Sequence, residues 1–177
     1  GDGVFDVSSV FASGLKWPTA IACWRGGVFV AVAPDIIYLE DRDDDGRADA
    51  QRRVFEGFSI LNVQGLVTSL RWGVDGRLHG ATSTSGGLVR RVGAPDGEWQ
   101  RLNRRDFAFD PDTSSLVPTG GGGQHGMSFD RWGRKFVCSN SNHVQQVMYD
   151  VRYASRSRVF REAGPLADIA VDGPQAE

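Results

Sequence analysis

Ser69-Leu70-Arg71-Trp72-Gly73-Val74-Asp75-Gly76-Arg77-Leu78-His79-Gly80 is the stretch that decides the fold. A short strand-like run enters a Gly-rich turn and leaves as a second such run, the signature of a β-hairpin. The plan recurs downstream in Gly126-Met127-Ser128-Phe129-Asp130-Arg131-Trp132-Gly133-Arg134-Lys135-Phe136-Val137. It also occurs upstream, where Thr19 to Trp24 and Val28 to Ala33 flank Gly26-Gly27. Aligned on Gly27, Gly76 and Gly133, the copies repeat at about 50 residues, the length of a four-stranded propeller blade. The third copy places its aromatic one position later, so the repeat is imperfect.

Outward from these hairpins, Ile36 to Glu40 and Arg53 to Phe58 supply two further strands to the first copy. Gly87 to Val92 is expected as the third strand of the second copy, with Phe107 to Pro118 holding the outer one. Val144 to Tyr149 continues the third copy. The expected fold class is all-β, a β-propeller fragment of about three four-stranded blades. The expected blades span residues 14–60, 66–120 and 124–163, and a tail at 164–177 either starts another blade or frays. Propellers typically close with four to eight blades, so these three are expected to belong to a longer ring rather than to an incomplete arc.

Composition agrees with a folded domain: of 177 residues, 40% are hydrophobic, including 10 Phe and 5 Trp. The net charge is −2 and the arginines are scattered among acids, which argues against nucleic acid as a partner. Arg152, Arg156, Arg158 and Arg161 form the one basic cluster and read as a solvated face. No apolar run approaches the length of a membrane span. Cys23 and Cys138 lie in apolar strand-like runs and read as buried small hydrophobes. Trp17, Trp24, Trp72 and Trp132 recur near the hairpins and are expected to pack between blades.

Between the third and fourth strands stands Asp41-Arg42-Asp43-Asp44-Asp45-Gly46-Arg47-Ala48-Asp49, which reads D-x-D-x-D-G-x-x-D. Alternate carboxylates converge on one point only if the backbone curls, and Gly46 permits the bend. Asp41, Asp43, Asp45 and Asp49 are therefore the candidate ligands of a calcium ion, a hard cation suited to oxygen donors. Arg52 falls where a helix-loop-helix calcium motif would place a bidentate Glu, so the expectation is a structural loop between strands.

Gly14-Leu15-Lys16-Trp17-Pro18-Thr19-Ala20-Ile21-Ala22, Ala33-Pro34-Asp35-Ile36-Ile37-Tyr38-Leu39 and the Asp-rich loop resemble segments of a family of membrane-bound dehydrogenases typical of planctomycetes and their relatives. Leu70 to Gly76, Arg105 to Pro111, Gln124 to Gly133 and Asn140-Ser141-Asn142-His143 continue the likeness in order along nearly the whole chain. The resemblance implies a propeller related to soluble quinoprotein sugar dehydrogenases, in many relatives followed by helical repeats and a c-type haem domain. No C-x-x-C-H haem motif is present in these residues. The likeness breaks at Asn62-Val63-Gln64-Gly65-Leu66, where relatives often carry a His.

Quinoprotein oxidation requires a base for the hydroxyl proton and groups that hold the quinone. His125 is the candidate catalytic base, because it follows Gly120 to Gln124, read as a flexible loop that opens on the propeller channel. Gln124 and Arg71 are the candidate cofactor-binding residues, with pyrroloquinoline quinone as the expected cofactor beside calcium. His143 reads as a surface residue and His79 as a packed, satisfied imidazole. Two functions follow. One is an extracytoplasmic, periplasmic dehydrogenase that oxidises a sugar or alcohol and passes electrons to a c-type cytochrome domain or partner. The other is a non-catalytic, calcium-stabilised propeller that binds carbohydrate or protein.

Overall fold

The computed structural model describes residues 3–154, 156, 164–171 and 173. Strands β1 (Ala20–Trp24), β2 (Gly27–Val32), β3 (Asp35–Glu40) and β4 (Ala50–Phe58) form an antiparallel meander in chain order. Strands β5 (Thr68–Trp72) and β6 (Leu78–Ala81) open a second sheet, after which a hairpin, β7 (Gly87–Arg91) and β8 (Gln100–Arg101), intervenes. Strands β9 (Asp106–Asp110) and β10 (Ser115–Thr119) then complete that second sheet, ordered β10-β9-β6-β5. The third sheet runs β11 (Gly126–Phe129), β12 (Lys135–Cys138), β13 (Gln145–Val147) and β14 (Leu166–Asp168). First strands stand side by side, β1 against β5 and β5 against β11. The chain is therefore all-β, a propeller fragment of three blades.

Hairpin turns explain the sequence repeat, with one change. Trp24 pairs with Gly27, so the first turn is Arg25-Gly26, with φ of 37° and 73°. Such left-handed pairs match the twist of the flanking strands. The structural counterpart of Gly76 and Gly133 is thus Gly26, whose φ of 73° sits beside 72° and 79°. Gly27 has a different task, since a Cβ there would strike the Leu39 carbonyl and the Tyr38 ring.

The largest departure concerns Gly87 to Val92. The sequence makes it the third strand of the second blade, but it pairs with β4 and extends the first sheet to six strands. Non-local chemistry draws it there. Arg90 Nε meets Glu56 Oε1 at 2.8 Å across that seam, and Val89 is fully buried in the shared core. Gly87 at φ 137° lets the two backbones close: an added Cβ would lie 2.9 Å from the Ser59 nitrogen. The place of third strand passes to Asp106–Asp110, so Phe107 to Pro118 supplies two strands, not one.

An aromatic core joins the first two blades. Phe29 and Phe55 meet Phe109 at 5.2 and 4.9 Å, and Phe58 meets Phe107 at 5.2 Å. Strand β3 is buried on both faces, from Ile36 to Leu39. Ile36 and Tyr38 face this core, while Ile37 and Leu39 pack with Phe11 and Leu15 of the preceding segment.

Several local expectations change. Cys23 is exposed and Cys138 half-buried, both as free thiols, because Cys23 lies on the face of β1 opposite Ala22. Trp17, Trp72 and Trp132 are exposed; among the four tryptophans expected at blade seams, Trp24 alone packs, against Phe29 and Tyr38. Leu166–Asp168, expected in the tail, is the outer strand of the third blade and pairs with Gln145–Val147. The expected end of that blade at 157–163, with Arg158 and Arg161, lies outside the described residues, as do 174–177.

The core makes a direct prediction. Phe109→Ala should lower stability by about 3–5 kcal/mol, while Leu61→Ala, at an exposed position, should stay within about 0.5 kcal/mol of the parent in urea unfolding.

Candidate functional site

The Asp-rich segment links β3 to β4 and is held at both ends. Asp41 N–H donates to the Gly26 carbonyl (3.1 Å) and Asp49 N–H to the Glu40 carbonyl (2.9 Å), so the loop sits against the first hairpin turn. Inside it, Asp41 accepts from the N–H groups of Asp44 (2.8 Å) and Gly46 (2.9 Å). Asp49 accepts from Arg42 N–H at 2.7 Å. The curl needs left-handed backbone at Asp44 (φ 62°) and Gly46 (φ 81°). These bonds bring carboxylate oxygens of Asp41, Asp43 and Asp49 within 4.8 Å of one another. Asp45 turns to the Arg47 N–H instead (2.8 Å). The charges of Asp45 and then Asp49 raise the Asp43 pKa above its usual value. An all-oxygen cluster with unrelieved repulsion suits a hard divalent cation.

A second group lies at the opposite ends of the strands, where loops enter β5 and β11. Gln124 and His125 both donate backbone N–H to the Cys138 carbonyl, at 2.9 and 3.3 Å. His125 Nε2 is hydrogen-bonded to Asn140 Oδ1. Asn140 N–H donates to Gln124 Oε1 (3.2 Å), and its Nδ2 reaches Gln64 Oε1 at 3.5 Å. Gln64 is set by the short turn Val63–Gly65, whose first N–H bonds are capped by Asn62 Oδ1 at 3.0 Å. An amide oxygen only accepts, so in the neutral ring Nε2 carries the proton and Nδ1 keeps its lone pair.

Beneath His125 the glycine run is a fitted collar rather than a flexible loop. Asp106, fully buried, meets Lys135 Nζ at 2.6 Å, and that amine also donates to the Gly120 carbonyl at 2.9 Å. The other Asp106 oxygen accepts from Gly123 N–H (3.1 Å). Gly121, at φ 135°, passes so close that a side chain would strike the Asp106 carboxylate. The pair ties β9 of the second blade to β12 of the third.

The structure thus gathers Gln124 with His125 and adds Gln64 and Asn140, which the sequence reading did not select. Asn140 was visible only as a neighbour of His143, and Gln64 as the point where the family likeness breaks. Arg71 is elsewhere: it is exposed, pairs in register with His79, and stands beside the Gly73–Arg77 turn at the far end of β5. His143 is exposed in the loop after Asn140.

His79 is packed but not fully satisfied. Nε2 meets Asp75 Oδ1 at 3.0 Å, its ring abuts Phe129 edge-on, and buried Nδ1 has no hydrogen-bond partner among the described residues. Burial lowers its pKa below 6.5, outweighing the Asp75 carboxylate, which raises it. Between that lowered value and 6.5 the unfolded chain takes up a proton that the folded chain refuses. Stability attributable to His79 is therefore complete above 6.5 and declines on acidification to the folded value. On going from about pH 7.5 to about pH 5.5, the parent should lose more unfolding free energy than His79→Gln in matched urea titrations.

The family described as Domain of unknown function (DUF7133) matches residues 1–175, and the chain belongs to it. Among curated proteins and solved structures, nothing matches the chain.

Proposed function

We propose that this DUF7133 chain is the propeller of an extracytoplasmic, periplasmic dehydrogenase that oxidises a sugar or alcohol with a quinone-type cofactor. The reading draws on the likeness to quinoprotein propellers and on one observation, the His125–Asn140 hydrogen bond. That bond leaves Nδ1 of an exposed imidazole free to accept a substrate hydroxyl proton, the task of a general base. Gln64 and Gln124 supply amides that suit carbonyl or hydroxyl oxygens around the imidazole. Pyrroloquinoline quinone, when bound, would supply the hydride acceptor, and a c-type cytochrome domain or partner would then accept the electrons.

Calcium is proposed for Asp41, Asp43 and Asp49, with Asp45 at the rim. The loop and His125 sit at opposite ends of the strands, so the ion would brace the first hairpin and touch no substrate. Calcium is plentiful outside the cytosol, in keeping with the proposed compartment. A second reading, a calcium-braced propeller that binds carbohydrate or protein without turnover, draws on the position of Arg71. No guanidinium from that residue joins the His125 cluster to hold an anionic quinone.

The tests separate the two. With calcium, pyrroloquinoline quinone and a panel of aldoses and alcohols, the protein should reduce an electron-accepting dye. His125→Ala should lower that rate by roughly 100-fold or more. Sugar binding without dye reduction would favour the second reading. For the metal, calcium should raise the melting temperature, by the equivalent of about 2.7 kcal/mol at a 100-fold excess over Kd. Asp43→Ala should abolish that rise while leaving the calcium-free protein at least as stable, because a repelled carboxylate has been removed. An equal calcium response in both proteins would remove the ion from this loop.

A further inference from the structure

A cavity of about 550 Å³ opens on the same loop face, between the segment that leads into β1 and the segment that follows β4. Leu15, Trp17, Ile60, Val63 and Leu66 line it, and Lys16 is its one charged residue. Trp17 is 69% exposed, Ile60 60% and Val63 62%. A contiguous set of large apolar side chains left in water marks a binding surface. Lys16 has no ion-pair partner among the described residues, and no carboxylate lines the cavity.

The rim is built rather than loose. Trp17 holds a left-handed backbone, φ 45°, which is costly for a bulky residue and persists only where its surroundings impose it. Two residues on, Thr19 N–H donates to the Ala31 carbonyl (2.9 Å), and its hydroxyl donates to the Val67 carbonyl across the seam between blades. The indole is thereby presented at the mouth of the cavity, ahead of a segment pinned to both blades.

We infer that this cavity binds a flat, fused-ring aromatic carboxylate, stacked on Trp17 and neutralised by Lys16. A sugar would need several convergent donors and acceptors, and the lining offers one amine. A neutral hydrocarbon would leave the Lys16 charge unused. Indole stacking favours an aromatic ring over an alkyl chain, and an ammonium favours a carboxylate over an alcohol. Val63 lines this cavity while Gln64, the next residue of the turn, reaches Asn140 beside His125, so the two sites adjoin but share no lining residue and the inference does not depend on the dehydrogenase reading.

Calorimetric titration with three probes tests the assignment. Sodium 2-naphthoate should bind saturably at one site, at least tenfold tighter than decanoate or 2-naphthalenemethanol. Lys16→Gln should reduce naphthoate to the affinity of the alcohol, and Trp17→Ala should abolish binding of both. Trp17→Phe, which keeps a ring, should retain part of the affinity with an unchanged melting temperature, showing that the fold is intact. His125→Ala should bind naphthoate as the parent does even if it has lost turnover, so this inference and the catalytic one fail independently. The inference is overturned if the parent shows no saturable naphthoate binding or if decanoate binds as tightly. It is equally overturned if Lys16→Gln and Trp17→Ala match the parent.

Discussion

The ion pair between Asp106 and Lys135 is the constraint on which the second and third blades depend. Both groups are almost wholly out of water, and their charged atoms stand 2.6 Å apart. Desolvating two charges offsets much of their attraction, so the pair adds little net stability over a well-packed apolar substitute. Its effect is on geometry. Removing either partner strands the other, at a cost on the order of 3–5 kcal/mol, so alternative registers between β9 and β12 are strongly disfavoured. The pair also uses its remaining hydrogen-bonding capacity on the glycine run, through the Gly120 carbonyl and the Gly123 N–H. Gly123 leads directly into Gln124 and His125, so the position of the imidazole follows from a contact buried two residues away.

Polar groups of different character gather at the two ends of the strands. The acidic loop lies beside the first hairpin turn, at the end where β1 and β3 finish. The imidazole and amide groups lie where β5 and β11 begin. A cation at the acidic loop would relieve carboxylate repulsion and tighten a hairpin, yet the strands separate it from His125. The two sets of loops can then vary independently, because changing one does not reshape the other.

What was legible in the sequence was local. Hairpins at 69–80 and 126–137 are written in turn glycines and alternation within a dozen residues, and the structure has them there. The curl at Gly46 was equally readable, since a left-handed position after alternating Asp residues needs only its neighbours. Choices made across the chain were not. Gly87 to Val92 reads as a strand and is one, but which sheet edge it joins depends on Glu56, on Val89 burial and on a glycine contact with Phe58 and Ser59. Periodicity contains none of that. Four glycines in a row read as flexibility because their sequence neighbours give no reason for order. The reason, Asp106, is buried beneath them and stands one hairpin earlier in the chain.

The same distinction explains the exposed tryptophans. Aromatics near turns ordinarily pack, and Trp24 does so because the two-residue turn brings its ring back over Phe29 and Tyr38. Trp72 flanks a longer turn and Trp132 lies within one, where Arg131 and Arg134 cover the Trp132 ring instead. Trp17 has neither solution. It precedes a proline, sits at φ 45°, and is followed by a threonine anchored to two blades, so its backbone directs the ring outward. An apolar surface that size would collapse inward if the chain were free to move. Thr19, bonded to the Ala31 and Val67 carbonyls, ties the segment from which the ring projects to the first two blades.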